Sequence, residues 1–336
     1  MTNSVPIREF VAQGVGLPDG QTAKMMKSLE RLRVAALLNA SAGTIERQGV
    51  TMLRDVLASL FEINRISASL EILPAAELRP AAERARQQVL DRKLDAIVVG
   101  GGDGSIRTIA SVLSGSDDPL GIIPLGTLNH FAKDLHIPLA PEQAVAVIAA
   151  GDARSVDVGE VNGEIFVNNS SIGIYPYLVL ERERRRRRQG LSKWTAMILA
   201  ALRVARHLPV RRLVIRIEGW IEPCRSPCVF VGNNEYRLTV PAFGRRDRLD
   251  RGELAVYVAK AQSRLSFFWL ACRCILGFLD QERDLRVFKG RAAEIRSRAS
   301  RLLVAFDGEV ETRQSPLIYR TRPGALRVFA PAAINA

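Results

Sequence analysis

From Arg33 onward the chain alternates short, mainly apolar runs with longer stretches in which apolar residues recur at three- and four-residue spacing. The runs are "RVAALLNA", "ISASLEIL", "DAIVVGG" and "PLGIIPLG", and between them stand "TIERQGVTMLRDVLASLFEI", "AELRPAAERARQQVLDRK" and "GSIRTIASVLS". An apolar strand is buried on both faces, and intervening helices supply the cover, so this pattern predicts an α/β domain built on a parallel sheet. After about Asp152 the texture changes to short strands with few helices between them: "RSVDVGEVNGEIFVNNSSIGI", "RRLVIRIEGW", "CVFVGNN", "GELAVYVAK", "DLRVFKG" and "RLLVAFDGE". That predicts a mostly antiparallel β-sandwich with inserted helices at residues 177–207 and 264–279. The expected division is a flexible extension over residues 1–32, an α/β domain over 33–152 and a sandwich over 153–317, with 318–332 available to complete the first domain.

Composition agrees with two domains: 336 residues with 47% hydrophobic content are enough to bury sizeable cores. The longest apolar stretch, "LSFFWLACRCILGFL", is short for a bilayer span and carries Arg273, so no transmembrane helix is expected. The N-terminal stretch lacks a basic start followed by an apolar block, and the expected location is cytoplasmic. The four cysteines, Cys224 with Cys228 and Cys272 with Cys274, make neither a disulfide framework nor a good zinc site. Charge changes the picture more. Lys and Arg outnumber Asp and Glu by 48 to 35, a formal charge of +13, which points to a polyanionic partner or an anionic surface.

The stretch "VVGGGDGSI" places glycines between a strand at residues 96–99 and a helix expected at 105–113. Free N–H groups and the positive end of a helix dipole favour an anion there, although a tight strand-to-helix turn would need the same glycines. The spacing fits neither G-x-x-x-x-G-K-[ST] nor G-x-G-x-x-G. Asp103 shifts the balance, because a carboxylate among phosphate-seeking amides suggests a cation such as Mg2+ between it and the ligand.

This stretch resembles the G-G-D-G-[ST] signature shared by NAD kinases, phosphofructokinases and lipid kinases of the diacylglycerol and sphingosine kinase type. The following "GIIPLGTLNHFAKDLHIP" is similar to the lipid kinases, as are "LLNASAG", "VDVGEVNGEIFVNNSSIGI" and "FDGE" in the same order. Ala40 replaces the usual proline, His130 stands where many members carry aspartate, and Arg251 and Ala255 occupy two positions that are acidic in the family.

The resemblance implies ATP with Mg2+ between the domains, Gly101, Gly102, Asp103, Gly104 and Ser105 at the phosphates, Asn39 and Ser41 on a facing loop, and Gly126, Thr127 and Asn129 completing the cradle. It implies Asp307 as the base that takes the acceptor hydroxyl's proton, Glu309 orienting Asp307 or reaching the metal, and Asp157 in support. Asp103, with Asp250 and Asp247, would hold metal. Asn168 and Asn169 are expected to fix interdomain backbone. A plain hairpin turn at Asp307-Gly308 and solvated carboxylates at Asp247 and Asp250 are the simpler alternatives. The run "ERERRRRRQGLSKW" carries Arg182, Arg184 to Arg188, Lys193 and Trp194, an element suited to peripheral docking on the anionic inner face of a membrane. A solvated helix face or a nucleic-acid contact would use the same charges, but nothing like an RNA-binding motif or zinc finger accompanies them, so no nucleic-acid partner is expected. The expected acceptor is a lipid alcohol such as diacylglycerol, ceramide or a sphingoid base. The alternatives are an NAD kinase-like enzyme, or a protein that kept the fold and lost the chemistry. The oligomeric state is left open, a homodimer included.

Overall fold

The computed structural model describes residues 31–43, 49–186, 211–237, 244–261, 263–275 and 280–331. Strands β1 (Leu32–Asn39), β2 (Ile66–Leu73), β3 (Ala96–Gly101) and β4 (Pro119–Pro124) are parallel in the order β2-β1-β3-β4. Central β3 is buried at every position, as its unbroken apolar run requires. Edge strand β2 instead exposes Ser67, Ser69 and Glu71, so the polar alternation within "ISASLEIL" marks a strand with one open side.

Helices cover both faces. On one, α1 (Val50–Ile63) sets Leu53, Leu57 and Phe61 at four-residue spacing onto Val34, Ala36 and Leu38 of β1. On the other, α2 (Leu78–Leu90) and α3 (Asp103–Leu113) pack Ala82, Ile106 and Ile109 against Leu37, Ile97 and Val99. After β4 come a short helix α4 (His130–Asp134) and α5 (Pro141–Ala150), which begins on a proline and ends on Gly151 at φ 73°.

The remaining strands are β5 (Ala153–Val161), β6 (Glu164–Phe166), β7 (Asn169–Gly173), β8 (Arg211–Ile217), β9 (Trp220–Ser226), β10 (Cys228–Asn233), β11 (Leu254–Ala259), β12 (Leu285–Gly290), β13 (Ala292–Ser297), β14 (Arg301–Phe306), β15 (Glu309–Gln314) and β16 (Leu317–Phe329). A six-stranded sheet, β12-β11-β10-β7-β14-β15, packs on β16-β13-β8-β9 around Phe166, Ile172, Ile215, Val231, Val256, Val304, Phe306 and Tyr319. Helices α6 (Ile174–Arg186), α7 (Arg264–Ile275) and α8 (Gln281–Asp284) are the inserted ones. Most of the helix expected over 177–207, the extension before residue 31 and the end of the 264–279 segment lie outside the described residues.

The domains are joined more intimately than the change of texture near Asp152 implies. Thirteen-residue β16 pairs antiparallel with β13 at Leu317 to Arg320, then parallel with β4 at Arg327 and Val328. Its register against β5 shifts between Arg322 and Leu326, around Pro323 and Gly324, where the strand bends from one domain into the other.

Candidate active site

Parallel strands deliver their C-terminal ends to one edge, and three loops meet there, after β1, β3 and β4. Asn39 donates from Nδ2 to Ser105 Oγ (2.8 Å), and its Oδ1 accepts from Ser41 N (3.0 Å). A Cβ on Gly126 would lie 2.4 Å from the Gly102 Cα, and one on Gly101 would lie 2.6 Å from Ser105 Cβ. These glycines are therefore required where backbones touch, so part of the loop's composition is packing. The rest of its surface is available to a ligand. Helix α3 starts at Asp103, two residues earlier than expected, on Gly102 with no side-chain cap, and a helix leaves its first-turn N–H groups without intrahelical partners. Thr127 is exposed and stands 3.3 Å from the position of a Cβ on Gly43, which places the β1 and β4 loops side by side. Asn129, buried at φ 50°, turns the chain into α4 and donates to the Gly126 carbonyl (2.9 Å).

Asp103 is not left among amides of its own helix. Its Oδ2 accepts from His130 N (3.1 Å), and its Oδ1 from Phe131 N (3.0 Å) and Asn168 Nδ2 (3.1 Å), so it caps α4 and reaches the second domain. Asp307 and Gly308, at φ 47° and 91°, form the two-residue turn of the β14–β15 hairpin. The turn and the site coexist: the Asp307 carboxylate accepts from Val167 N (2.8 Å), Asn168 N (2.8 Å) and Asn169 N (3.0 Å). Burial pushes Asp307 up to about 6; the three N–H donors oppose that rise and the Asp103 charge adds to it. Asn168 thus links the two carboxylates, with its backbone on one and its side chain on the other.

Glu309 corrects an expectation. Its carboxylate pairs with Arg107 rather than orienting Asp307, and its Oε1 lies 2.6 Å from where a Cβ on Gly104 would stand. Arg107 also sits 3.5 Å from Glu311 and over the Phe306 ring, clamping the hairpin to α3. Asp157, only 1% exposed, accepts from Gly252 N (2.6 Å), Gly324 N (2.9 Å) and Asn234 Nδ2 (3.2 Å). It fastens the β16 bend, and its backbone carbonyl shares Asn233 Nδ2 with the carbonyl of Val167, whose N–H donates to Asp307. Asp247 pairs with Arg237 and Asp250 with Arg248, so guanidinium groups already fill the cation positions beside both. Among the described residues no three His, Cys, Asp or Glu side chains are grouped to hold a metal. The proposed set of Asp103 with Asp247 and Asp250 is thus not brought together. Asp103 by itself fits the demands of Mg2+, which takes one or two carboxylates plus substrate phosphates, and its Oδ2 has a single N–H partner.

One central residue escaped the sequence reading. Arg246, 2% exposed, donates from Nε to Asp134 (2.7 Å), from Nη1 to the carbonyls of Val167 (2.8 Å) and Asn233 (2.9 Å), and from Nη2 to Asn168 Oδ1 (2.6 Å). It lies over the rings of Tyr236 and Phe131. In "GRRDRLDRG" nothing distinguishes it from its neighbours. Only burial does. Cys224 and Cys272 are free thiols.

A parallel α/β sheet with a glycine-walled edge, sharing a strand with an antiparallel sandwich that supplies a second carboxylate, defines the class: two-domain proteins with a glycine-lined edge at the domain junction. Residues 33–161 match the diacylglycerol kinase catalytic domain, and residues 179–330 match the YegS C-terminal NAD kinase beta sandwich-like domain. The N-terminal domain thus resembles the diacylglycerol kinase catalytic domain, and the sandwich resembles the YegS C-terminal domain. It is 39% identical over 94 residues to the "Probable lipid kinase YegS-like" of Pseudomonas fluorescens, covering 27% of this chain and 31% of that protein. It is 39% identical over 90 residues to the diacylglycerol kinase of Bacillus subtilis, 26% and 30% of the two chains. The chain's matches therefore span about a third of the length of these relatives. The crystal structure of a diacylglycerol kinase from Bacillus anthracis shares the fold, with a TM-score of 0.63 over 90% of this chain and 98% of that one at 20% identity.

Proposed function

We propose that this protein is an ATP- and Mg2+-dependent lipid kinase that transfers the γ-phosphate to a hydroxyl of a lipid alcohol of the diacylglycerol, ceramide or sphingoid type. The observation that carries the reading is the pairing of Asp103 and Asp307 through Asn168 at the edge of the glycine loops. Asn39, Ser41, Gly101, Gly102, Gly104, Ser105, Gly126 and Thr127 form the surface for the donor's phosphates, and the first-turn amides of α3 bind their oxygens. Mg2+, held by Asp103 and the phosphates, supplies neutralising charge as phosphoryl transfer proceeds. Asp307 takes the proton of the acceptor hydroxyl. Its carboxyl titrates near 6, high enough to be a useful base and low enough to be ionised at neutral pH.

The NAD kinase reading is supported by the shared G-G-D-G signature and by the description of the matched C-terminal domain, while the N-terminal match favours a lipid acceptor. Labelled-ATP transfer to a panel of lipid alcohols in mixed micelles, with NAD and water as parallel acceptors, decides between them. Asp103→Asn is expected to weaken Mg2+-dependent ATP binding, and equal affinity with and without Mg2+ in both proteins would remove Asp103 from the metal. The polybasic element containing Arg182 and Arg184 to Arg188 is proposed to dock the protein peripherally on an anionic membrane face. Its backbone is helical through Arg186, and the rest lies outside the described residues. No helix among the described residues is long and apolar enough to cross a membrane.

A further inference from the structure

Between β10 and β11 the chain carries Arg246, whose guanidinium is fully enclosed and whose partner, the Asp134 carboxylate, is 3% exposed. Stability alone gives little reason for that arrangement. Taking two charges out of water costs about what their attraction returns, and apolar side chains of similar volume serve a core as well or better. What a buried guanidinium supplies that they cannot is direction, because its N–H groups form a rigid planar fork.

The directions are specific. Nη2 meets the Asn168 side chain at 2.6 Å. A guanidinium only donates, so the atom facing it is Oδ1, and Nδ2 is the atom left to face Asp103, 3.1 Å away. The reversed amide would set NH2 against the guanidinium and an oxygen against a carboxylate, and both contacts repel. Nη1 meets the Val167 carbonyl at 2.8 Å. The N–H of that residue and those of Asn168 and Asn169 are the three donors on Asp307. One side chain therefore holds the oxygens of Val167 and Asn168, while N–H groups of the same stretch hold both carboxylates. Its Nε on Asp134 ties that grip to α4, whose His130 and Phe131 N–H groups also hold Asp103.

We infer that Arg246 is a positioning residue for phosphoryl transfer: by fixing the Asn168 amide and the Val167 carbonyl, it holds Asp103 and Asp307 in register across the domain junction. Its part in a reaction rests on the kinase reading, and its hold on Asp307 does not.

Two full-length variants test it. Arg246→Lys keeps a charge beside Asp134 but brings one nitrogen in place of the fork, and Arg246→Met with Asp134→Leu removes the pair without leaving a lone buried charge. The first readout needs no activity: the unfolding free energy of each protein, minus that of the same protein carrying Asp307→Asn, is measured across pH. With Arg246 present the difference levels off at about 6, where the folded carboxyl titrates. The ionisable groups coupled to Asp307 are Asp103, Tyr236 and Arg246. Asp103 is kept in every protein, and Tyr236, pushed up to about 12 by burial, stays neutral. Losing the guanidinium charge and loosening the N–H donors both disfavour the carboxylate, so in the pair replacement the fall should continue about one pH unit further or more.

The second readout is labelled-ATP turnover with dioctanoylglycerol, ceramide and sphingosine in mixed micelles, beside affinity for Mg2+ with a non-hydrolysable ATP analogue. Both variants should lose about tenfold or more in kcat, with analogue affinity within about threefold of wild type. In an Asn168→Ala background Arg246→Lys should cost distinctly less, because the two residues act as a unit. An unshifted titration in a pair replacement that unfolds cooperatively would overturn the inference. So would full kcat in either variant, or an equal cost of Arg246→Lys with and without Asn168. If the wild-type protein phosphorylates none of the acceptors, the kinase reading fails and the titration still decides the hold on Asp307.

Discussion

Replacing Asp307 by asparagine separates the two consequences of its environment. In the folded protein the carboxyl is held up to about 6 from an ordinary value of 3.8, chiefly by burial. Between those values the folded state keeps a proton that the unfolded state has released, so stability is greatest below the lower value and is lost as pH rises through the upper one. Roughly two pKa units correspond to about 3 kcal/mol, an order-of-magnitude figure for this site. Asparagine does not titrate, so the wild-type unfolding free energy minus that of Asp307→Asn should fall by about this amount between pH ~4 and ~6, then level off. Subtraction removes the other carboxylates and the constant penalty of setting an NH2 against one of the three N–H donors. The same titration governs the proposed chemistry: kcat/KM should fall about tenfold per pH unit below 6, and the variant should lose about 10² to 10⁴ in rate with ATP affinity little changed. The assays are urea unfolding across pH and a pH profile of lipid phosphorylation. A flat stability difference would refute the buried, raised carboxyl. Full activity in the asparagine protein would return Asp307-Gly308 to a turn alone.

Other outcomes follow from contacts elsewhere in the fold. Gly126→Ala pushes a Cβ toward the Gly102 Cα and should cost about 1 to 3 kcal/mol with loss of nucleotide binding; a normal melting temperature and normal affinity would show the loops can part. Arg246→Met strands buried Asp134 and should lower stability by about 3 to 5 kcal/mol in chemical denaturation, while the double replacement Arg246→Met with Asp134→Leu should recover part of that loss. Neutralising Arg182 and Arg184 to Arg188 should weaken cosedimentation with anionic vesicles by about 1 kcal/mol per residue, most visibly at low salt. Equal binding to neutral vesicles, or a gel shift with DNA or RNA alone, would count against membrane docking.

How much of this was legible in the sequence differs from residue to residue. The parallel sheet was readable because "DAIVVGG" and "PLGIIPLG" have no polar face, and a strand without one must be covered twice. The glycine loop and the Asp-Gly turn were readable because close backbone approach and positive φ restrict residue choice locally. The roles of the carboxylates were not. Asp157, Asp247, Asp250 and Glu309 are each plausible ligands or catalysts by type, and only the groups they meet assign them: backbone amides in the interior for Asp157, arginines for the others.

The sequence by itself determined the local quantities: which stretches are strands or helices, where the chain can turn, and which loop can approach a phosphate. Tertiary structure alone decided that β16 leaves the sandwich to finish the parallel sheet, and that Arg246 is the one buried arginine of its charged stretch. It also decided that Asn168 joins Asp103 to a carboxylate two hundred residues further on. The reason is physical. Backbone propensity acts over a few residues and leaves a pattern in the sequence, whereas burial and hydrogen-bond partnership depend on which distant segments the fold brings together, and identical side chains acquire different roles when they meet different neighbours.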